Sequence, residues 1–262
     1  MEISAKVVCA SVSKGVKLTT LEAIMPRIIL AEWNTHRKFT RNTSSSRAIS
    51  LSKMHDTVAT EPFIPKYLGH NRRGMQAGEE LSAQEYSMAV IAMEMHMQSA
   101  LALHRVLTKL DVHKQWTNRY LEPFMWSKVV VTATEWDNFD VQRDHGDAQP
   151  EMQEVARHVK HARNKAHHIE RTKHLPYIDI FDYDRPDASW VSAFRCAAVS
   201  YTDPGQRYSW EDEVARGKQL VQNSPPHWSP LEHIAWADSV YELSNFDAPW
   251  LQFRKLYAQG LK

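Results

Sequence analysis

Ser82 and Glu85 stand three positions apart ahead of an apolar-patterned stretch, and no other feature of the sequence constrains its fold so tightly. The pair is a capping box: the serine hydroxyl satisfies a free backbone N–H of the first turn, and the glutamate reaches back to the cap. A helix is therefore predicted from there to about Leu110. Met88, Ile91, Met95, Ala102 and Val106 recur at helical spacing and are expected to face the core. Pro150-Glu151 opens a second amphipathic helix through Met152, Val155, Val159 and Ala162, with proline in its first turn. Ser209 and Asp212 cap a third, running to about Gln222. Val7–Val12 is β-rich and reads as a strand. Trp116–Asn138 reads as helix in two pieces broken near Pro123. Leu18–Leu30, Trp190–Tyr201 and Leu231–Val240 fit neither pattern cleanly.

The chain has 262 residues, 43% of them hydrophobic, with nine tryptophans, which is ample for a real core. Its formal charge of +1 argues against a general polyanion-binding surface, so no nucleic-acid partner is expected. Two cysteines, Cys9 and Cys196, make no disulfide framework, and neither a signal pattern nor a membrane-length apolar run is present. A cytoplasmic protein is expected. The Pro/Asp-rich segment Leu175–Ser189 is the best candidate boundary within residues 1–262.

Basic charge is local. Trp33–Ser50 crowds Arg37, Lys38, Arg41 and Arg47, with His36, among the hydroxyls of Thr35, Thr40 and Thr43–Ser46. Guanidinium forks and short hydroxyls together satisfy the several lone pairs of a phosphate, while a solvated basic turn explains the composition equally well. No Gly-rich phosphate loop accompanies it. Glu61–Gly78, rich in Pro and Gly and carrying Arg72 and Arg73, reads as a long loop of the kind that more often serves function.

Other polar clusters are less telling. His158, His161, His167 and His168 lack a carboxylate or cysteine in register, and Asp144–Gln149 lacks a recognised metal-loop spacing, so no metal is expected. Arg143 has a bland reading as a surface partner of Asp140 or Asp147. No elbow glycines flank Ser45 or Ser200, and Cys196 lies in an apolar stretch. Residue chemistry alone supports a phosphate-binding enzyme and stops short of a reaction.

Several blocks taken together resemble the flavin-dependent thymidylate synthases. The family's Arg-His-Arg, seven residues, Ser, then Arg two later, is matched by Thr35-His36-Arg37, Lys38–Ser44, Ser45 and Arg47. Its Arg-x-x-Leu-Pro is matched by Arg119–Pro123, with Glu122 at the Leu position. Its Asn-Phe-x-x-x-Arg is matched by Asn138–Arg143, and the following Ala-Gln-x-Glu by Ala148–Glu151. Ala198–Tyr201 resembles Ala-x-Val-Ser-Tyr, and His227–His233 resembles His-x-Thr-Pro-Phe-Glu-His. Both elements precede Arg-His-Arg in the usual chain and follow it here, as in a circular permutation with a joint near 175–189.

The resemblance covers about half the chain. It implies one α/β (α+β) domain, a mixed sheet with a helical part, and a homotetramer whose active sites are built across subunits. It implies FAD reduced by NADPH, methylenetetrahydrofolate as carbon donor, and methylation of dUMP to dTMP. Carried over residue by residue, His36, Arg37, Asn138, Ser200, His227 and Ser229 would hold FAD. Ser45, Arg47 and Arg119 would bind the nucleotide phosphate, and Arg143 the pyrimidine as the catalytic residue. The departures are Thr35 for the first arginine, Thr43 for a usual Glu, Thr132 and Thr134 where an Asn and an Arg are expected before Asn138, and Asp147 where a flavin-side His is common. They keep two alternatives open: a flavin-dependent hydroxymethylase of dUMP or dCMP, and a non-catalytic nucleotide-binding homologue.

Overall fold

In the computed structural model, residues 1–199, 208–237 and 244–260 are described. The first two strands form a long hairpin, β1 (Ser4–Ser13) and β2 (Val16–Pro26), paired from Ser4↔Ile24 to Ser13↔Val16 with a register slip between Val7 and Cys9. Its two-residue turn, Lys14-Gly15, has positive φ at both positions, the twist that lets antiparallel strands close directly. The chain then passes through a short helix, α1 (Leu30–Trp33), into β3 (Thr40–Thr43). Next come α2 (Leu51–Thr60), the long α3 (Ala83–Lys109) and one turn of helix, α4 (Lys114–Thr117).

Strand β4 (Trp126–Ala133) lies inside the first sheet, between β2 and β3, in the order β3-β4-β2-β1-β5. This corrects the reading of Trp116–Asn138 as helix. Helical turns hold only as far as Phe124, and the β-branched run Val129–Val131 then becomes a strand hydrogen-bonded on both sides. A strand covered on both faces reads as a continuous apolar run, which resembles a buried helix in sequence.

The chain continues through α5 (Asp137–Arg143) and α6 (Pro150–Asn164) to β5 (Ile169–Glu170), which joins β1 in parallel. The mixed sheet and its covering helices make an α/β fold. As expected, α6 packs Met152, Val155 and Val159 against Leu21, Ala23 and Val131 of the sheet. A second, three-stranded sheet comprises β6 (Lys173–His174), β7 (Ala235–Ala237) and β8 (Trp250–Gln252). It packs with α7 (Ala188–Ala198), α8 (Trp210–Gln222) and α9 (Phe253–Ala258). The Ser209 cap on α8 forms as the sequence requires, its hydroxyl accepting from the Asp212 N–H at 3.1 Å. Among the described residues, no helix is long and apolar enough to cross a membrane.

The capping box at Ser82 and Glu85 is also formed. The face it was expected to bury is not. Met88 (65%), Ile91, Met95 (67%), Ala102 and Val106 (53%) are exposed, whereas Met97, Ala100, Leu101 and His104 pack inward. This helix is apolar on two opposite sides, and the side turned to α2 and the 118–125 segment is the one carrying His104. His104 is tolerated there because its Nε2 donates to Asn118 Oδ1 at 3.0 Å, and the Asn118 amide in turn donates to Ser46 O and Ile49 O.

Candidate nucleotide site at the two ends of a strand

One set of side chains gathers where β3 begins. Residues 34–39 form a loop closed by Arg41, whose guanidinium donates to Asn34 Oδ1 (2.7 Å), Asn34 O (2.9 Å) and the carbonyls of His36 and Phe39 (both 3.0 Å). Arg41 is thus a loop brace. His36 is buried among aromatic rings, edge-on to Phe139 at 5.0 Å and beside Phe39 at 5.5 Å. Its Nε2 accepts from Arg143 Nε at 2.9 Å, so the ring proton sits on Nδ1. Burial, then Arg143 and then Arg41, lower the His36 pKa to about 4.

Arg143 is thereby fixed from three sides. Its Nη2 also donates to Thr35 Oγ1 at 3.0 Å and to Glu32 O at 3.4 Å, and Nη1 has no hydrogen bond among the described residues. The bland pairing with Asp140 or Asp147 does not form: Asp140 holds Arg163 instead, at 2.5 and 2.6 Å. Thr35 gains a structural reason here. Its hydroxyl donates to Glu32 O at 2.7 Å while accepting from Arg143, whereas an arginine at this position would set one guanidinium against another. Asn138, exposed in the first turn of α5, accepts from Gln142, and Arg37 is exposed with no partner among the described residues.

A second set gathers where β3 ends. Ser44 exchanges bonds with Lys128: Ser44 N–H donates to Lys128 O (2.9 Å), and Lys128 N–H to the Ser44 hydroxyl (3.1 Å). The next turn carries Ser45, half-buried, and Arg47, exposed with no partner among the described residues. Ser46 Oγ donates to Glu122 Oε1 at 2.5 Å. The same carboxylate faces Arg27 at 3.5 Å and Arg119 at 3.8 Å, so Glu122 ties the hydroxyl turn to the arginine expected to share its ligand. Arg119 also donates through Nε to Gln115 O. Glu122, a mismatch in the sequence pattern, is the missed residue at this end.

A third segment leans on β3 from the second sheet. Gln252 bridges it, donating to Thr40 Oγ1 (2.9 Å) and Glu232 O (3.0 Å), and Thr132 Oγ1 lies 2.8 Å from His233 Nδ1. His227 and Ser229 belong to this segment and lie 3.1 Å from each other, with His227 exposed and its pKa lowered by desolvation. Ser200 lies outside the described residues. The structure therefore joins His36 directly to Arg143, and Ser45–Arg47 to Arg119 through Glu122. Among the described residues no direct bond joins these two sets, and Asn138 is bonded only within its own helix. Both cysteines are buried and their thiols are pushed up by burial, so neither supplies a thiolate near neutral pH.

No protein-family model matches the chain, and no curated protein matches it by sequence. Among solved structures, the fold is similar to that of a UMP/dUMP methylase, PolB from Streptomyces cacaoi bound with 5-Br UMP. The TM-score is 0.53 at 13% identity, over 63% of this chain and 89% of that one. The same enzyme bound with 5-Br dUMP gives 0.52 at 14%, over 63% and 90%. A flavin-dependent thymidylate synthase, ThyX from Helicobacter pylori complexed with FAD and dUMP, superposes more loosely. Its TM-score is 0.39 at 15% identity, over 56% of this chain and 67% of that one.

Proposed function

We propose that the chain is an enzyme that methylates the C5 position of a uridylate, dUMP to dTMP, with FAD, NADPH and methylenetetrahydrofolate. One observation carries the reading. The base-binding candidate Arg143 and the phosphate-binding candidates Ser45, Arg47 and Arg119 flank the two ends of a single strand, β3. Four residues of strand span about 13 Å, the order of a nucleoside monophosphate's own length. The fold shared with a UMP/dUMP methylase supports the same substrate class. The rearranged motif order and the assembly of four copies are proposed with it.

The residues present fit a flavin in charge and donor type. Arg37 is an exposed cation with no partner among the described residues, Asn138 is exposed, and His227 and Ser229 form a polar pair on the segment that leans on β3. Bound and reduced, FAD supplies hydride, which with the folate-derived methylene completes the methyl group. The protein's part is orientation and charge. Arg143, held by three acceptors, keeps Nη1 free to meet the pyrimidine carbonyl on which negative charge grows as C5 becomes nucleophilic. A fixed donor of this kind is worth about 3 kcal/mol in a water-excluded site. His36 stays neutral near pH 7, so it orients Arg143 without repelling it. Ser45, Arg47 and Arg119 hold the phosphate. Inert buried thiols suit a route in which no protein nucleophile attacks the base.

Thr35 favours one second reading: with a hydroxyl where the family has a cation, water in place of hydride would capture the methylene and leave a hydroxymethyl group. Incubation with FAD, NADPH, methylenetetrahydrofolate and dUMP, UMP or dCMP, followed by mass spectrometry of the nucleotide, decides between them. A methyl gain on a uridylate is expected. A hydroxymethyl gain transfers the chain to the second reading. An unmodified nucleotide from a protein that takes up no FAD refutes both and leaves a nucleotide-binding homologue.

A further inference from the structure

The outward side of α3 is an exposed apolar stripe that neither the fold nor the candidate site uses. Met88, Ile91, Met95, Leu103, Val106 and Leu110 are all 40% or more exposed, and at 100° per residue they fall on one face. They run for about 33 Å at 1.5 Å per residue. This face lies opposite the one that packs Met97, Ala100, Leu101 and His104 inward, so the fold of one chain leaves it uncovered. A helix apolar on both sides is buried on both sides in its working state.

The charges beside the stripe identify what covers it. Within α3 the carboxylates, Glu85 and Glu94, lie in the N-terminal half and the long cations, Arg105 and Lys109, in the C-terminal half. Glu94, Arg105 and Lys109 are exposed along the same flank of the stripe. Glu94 stands five positions before Ser99 and Arg105 six after it. Turned end for end about Ser99, the helix matches itself: Met88 falls opposite Leu110, Ala92 opposite Val106, Met95 opposite Leu103, and Glu94 beside Arg105 on both sides. The small residues Ala92, Ser99 and Ala102 on the same face let two backbones approach closely. A parallel two-fold pairing would instead put this flank on opposite sides of the contact in the two copies, leaving Glu94 and Arg105 with no such cross-pair.

We propose that α3 is the contact surface for a second copy of this chain, packed antiparallel across a two-fold axis near Ser99. Such an isologous contact needs only one self-complementary patch. The proposal deepens the assembly named under the proposed function and rests on that reading only for the expectation that copies associate.

Sedimentation velocity with native mass spectrometry tests it. The wild-type chain is expected to be an even-numbered oligomer. Met95→Glu with Val106→Glu, both at exposed positions, is expected to weaken association by about two orders of magnitude. It should halve the observed mass while far-UV circular dichroism stays unchanged. Glu94→Arg and Arg105→Glu are each expected to weaken association and together to restore it, which a variant that merely misfolds would not do. For direction, a mixture of Met88→Cys and Leu110→Cys chains should cross-link as heterodimers under mild oxidation. Overturning results are a monomeric wild type, an unchanged mass for the Met95/Val106 variant, or Met88→Cys chains that cross-link only with one another. A wild-type monomer that sediments with mixed phosphatidylcholine–phosphatidylserine vesicles would assign the face to a membrane and also overturn it. These readouts are of mass alone, so a failure here leaves the nucleotide chemistry to its own assay.

Discussion

The two ends of β3 are built in opposite ways. Where the strand begins, Arg143 is locked by Thr35, Glu32 and a His36 that itself packs against Phe39 and Phe139, and its Nη1 has no partner among the described residues. Where it ends, Arg47 and Arg119 stand exposed beside a hydroxyl turn, with one carboxylate, Glu122, holding the turn in place. The first arrangement suits a group whose orientation must be fixed before charge develops, because fixed donors need no reorganisation during reaction. The second suits a phosphate, which accepts from many directions and tolerates long, solvated arms. On the proposed function, orientation and affinity are divided between the ends of one strand.

The largest effect should come from breaking the rigid end. Arg143→Ala is expected to lower kcat by about a hundredfold to a thousandfold with the circular dichroism spectrum intact. Lysine at the same position cannot hold the His36 and Thr35 acceptors as a planar fork does and should rescue little. At the open end, Arg47→Ala or Arg119→Ala is expected to raise KM for the nucleotide by about tenfold to a hundredfold, for a loss of about 1.5–3 kcal/mol. Its effect on kcat should be smaller, and rising salt should blunt the difference.

Acid sharpens the comparison. The His36 pKa lies at about 4 against an ordinary 6.5, so between those values the unfolded chain binds more protons than the folded one. Stability should therefore fall as pH drops from about 6.5 towards 4, read as a shift of the urea midpoint. His174 and His233, buried and lowered to about 3, add to the same loss and extend it further down, so His36→Asn should make the upper part shallower without abolishing it. The smallest effect is expected from Glu122→Gln, which keeps an acceptor for Ser46 but loses the charge facing Arg27 and Arg119. A modest drop in melting temperature with a small rise in KM would sharpen its role as an anchor.

The capped helices were legible because caps are local chemistry: Ser82 with Glu85, Pro150 at its first turn, and Ser209 with Asp212 all act within one turn. Strand β4 was not, because Val129–Val131 is buried on both faces and its period carries no face information. The wrong face was assigned to α3 because it has two apolar faces, and the inner one is selected by tertiary packing of Met97, Ala100 and Leu101, with His104 paired to Asn118 fourteen residues on. In the candidate site, His36, Arg143, Ser45, Arg47 and Arg119 were legible as a pattern, but their partners were not. Thr35 and Glu122 read as defects in a motif, and their meaning lies in contacts to residues 108 and 76 positions away along the chain.

The division of labour along β3 is tested most directly by equilibrium binding of dUMP and of deoxyuridine to the wild type and to Arg47→Ala and Arg143→Ala. Deoxyuridine lacks only the phosphate. Arg47→Ala should lose affinity for dUMP and none for deoxyuridine, while Arg143→Ala should weaken both by the same factor. If Arg47→Ala weakened the two ligands equally, or if Arg143→Ala affected dUMP alone, the two ends would not hold phosphate and base as described.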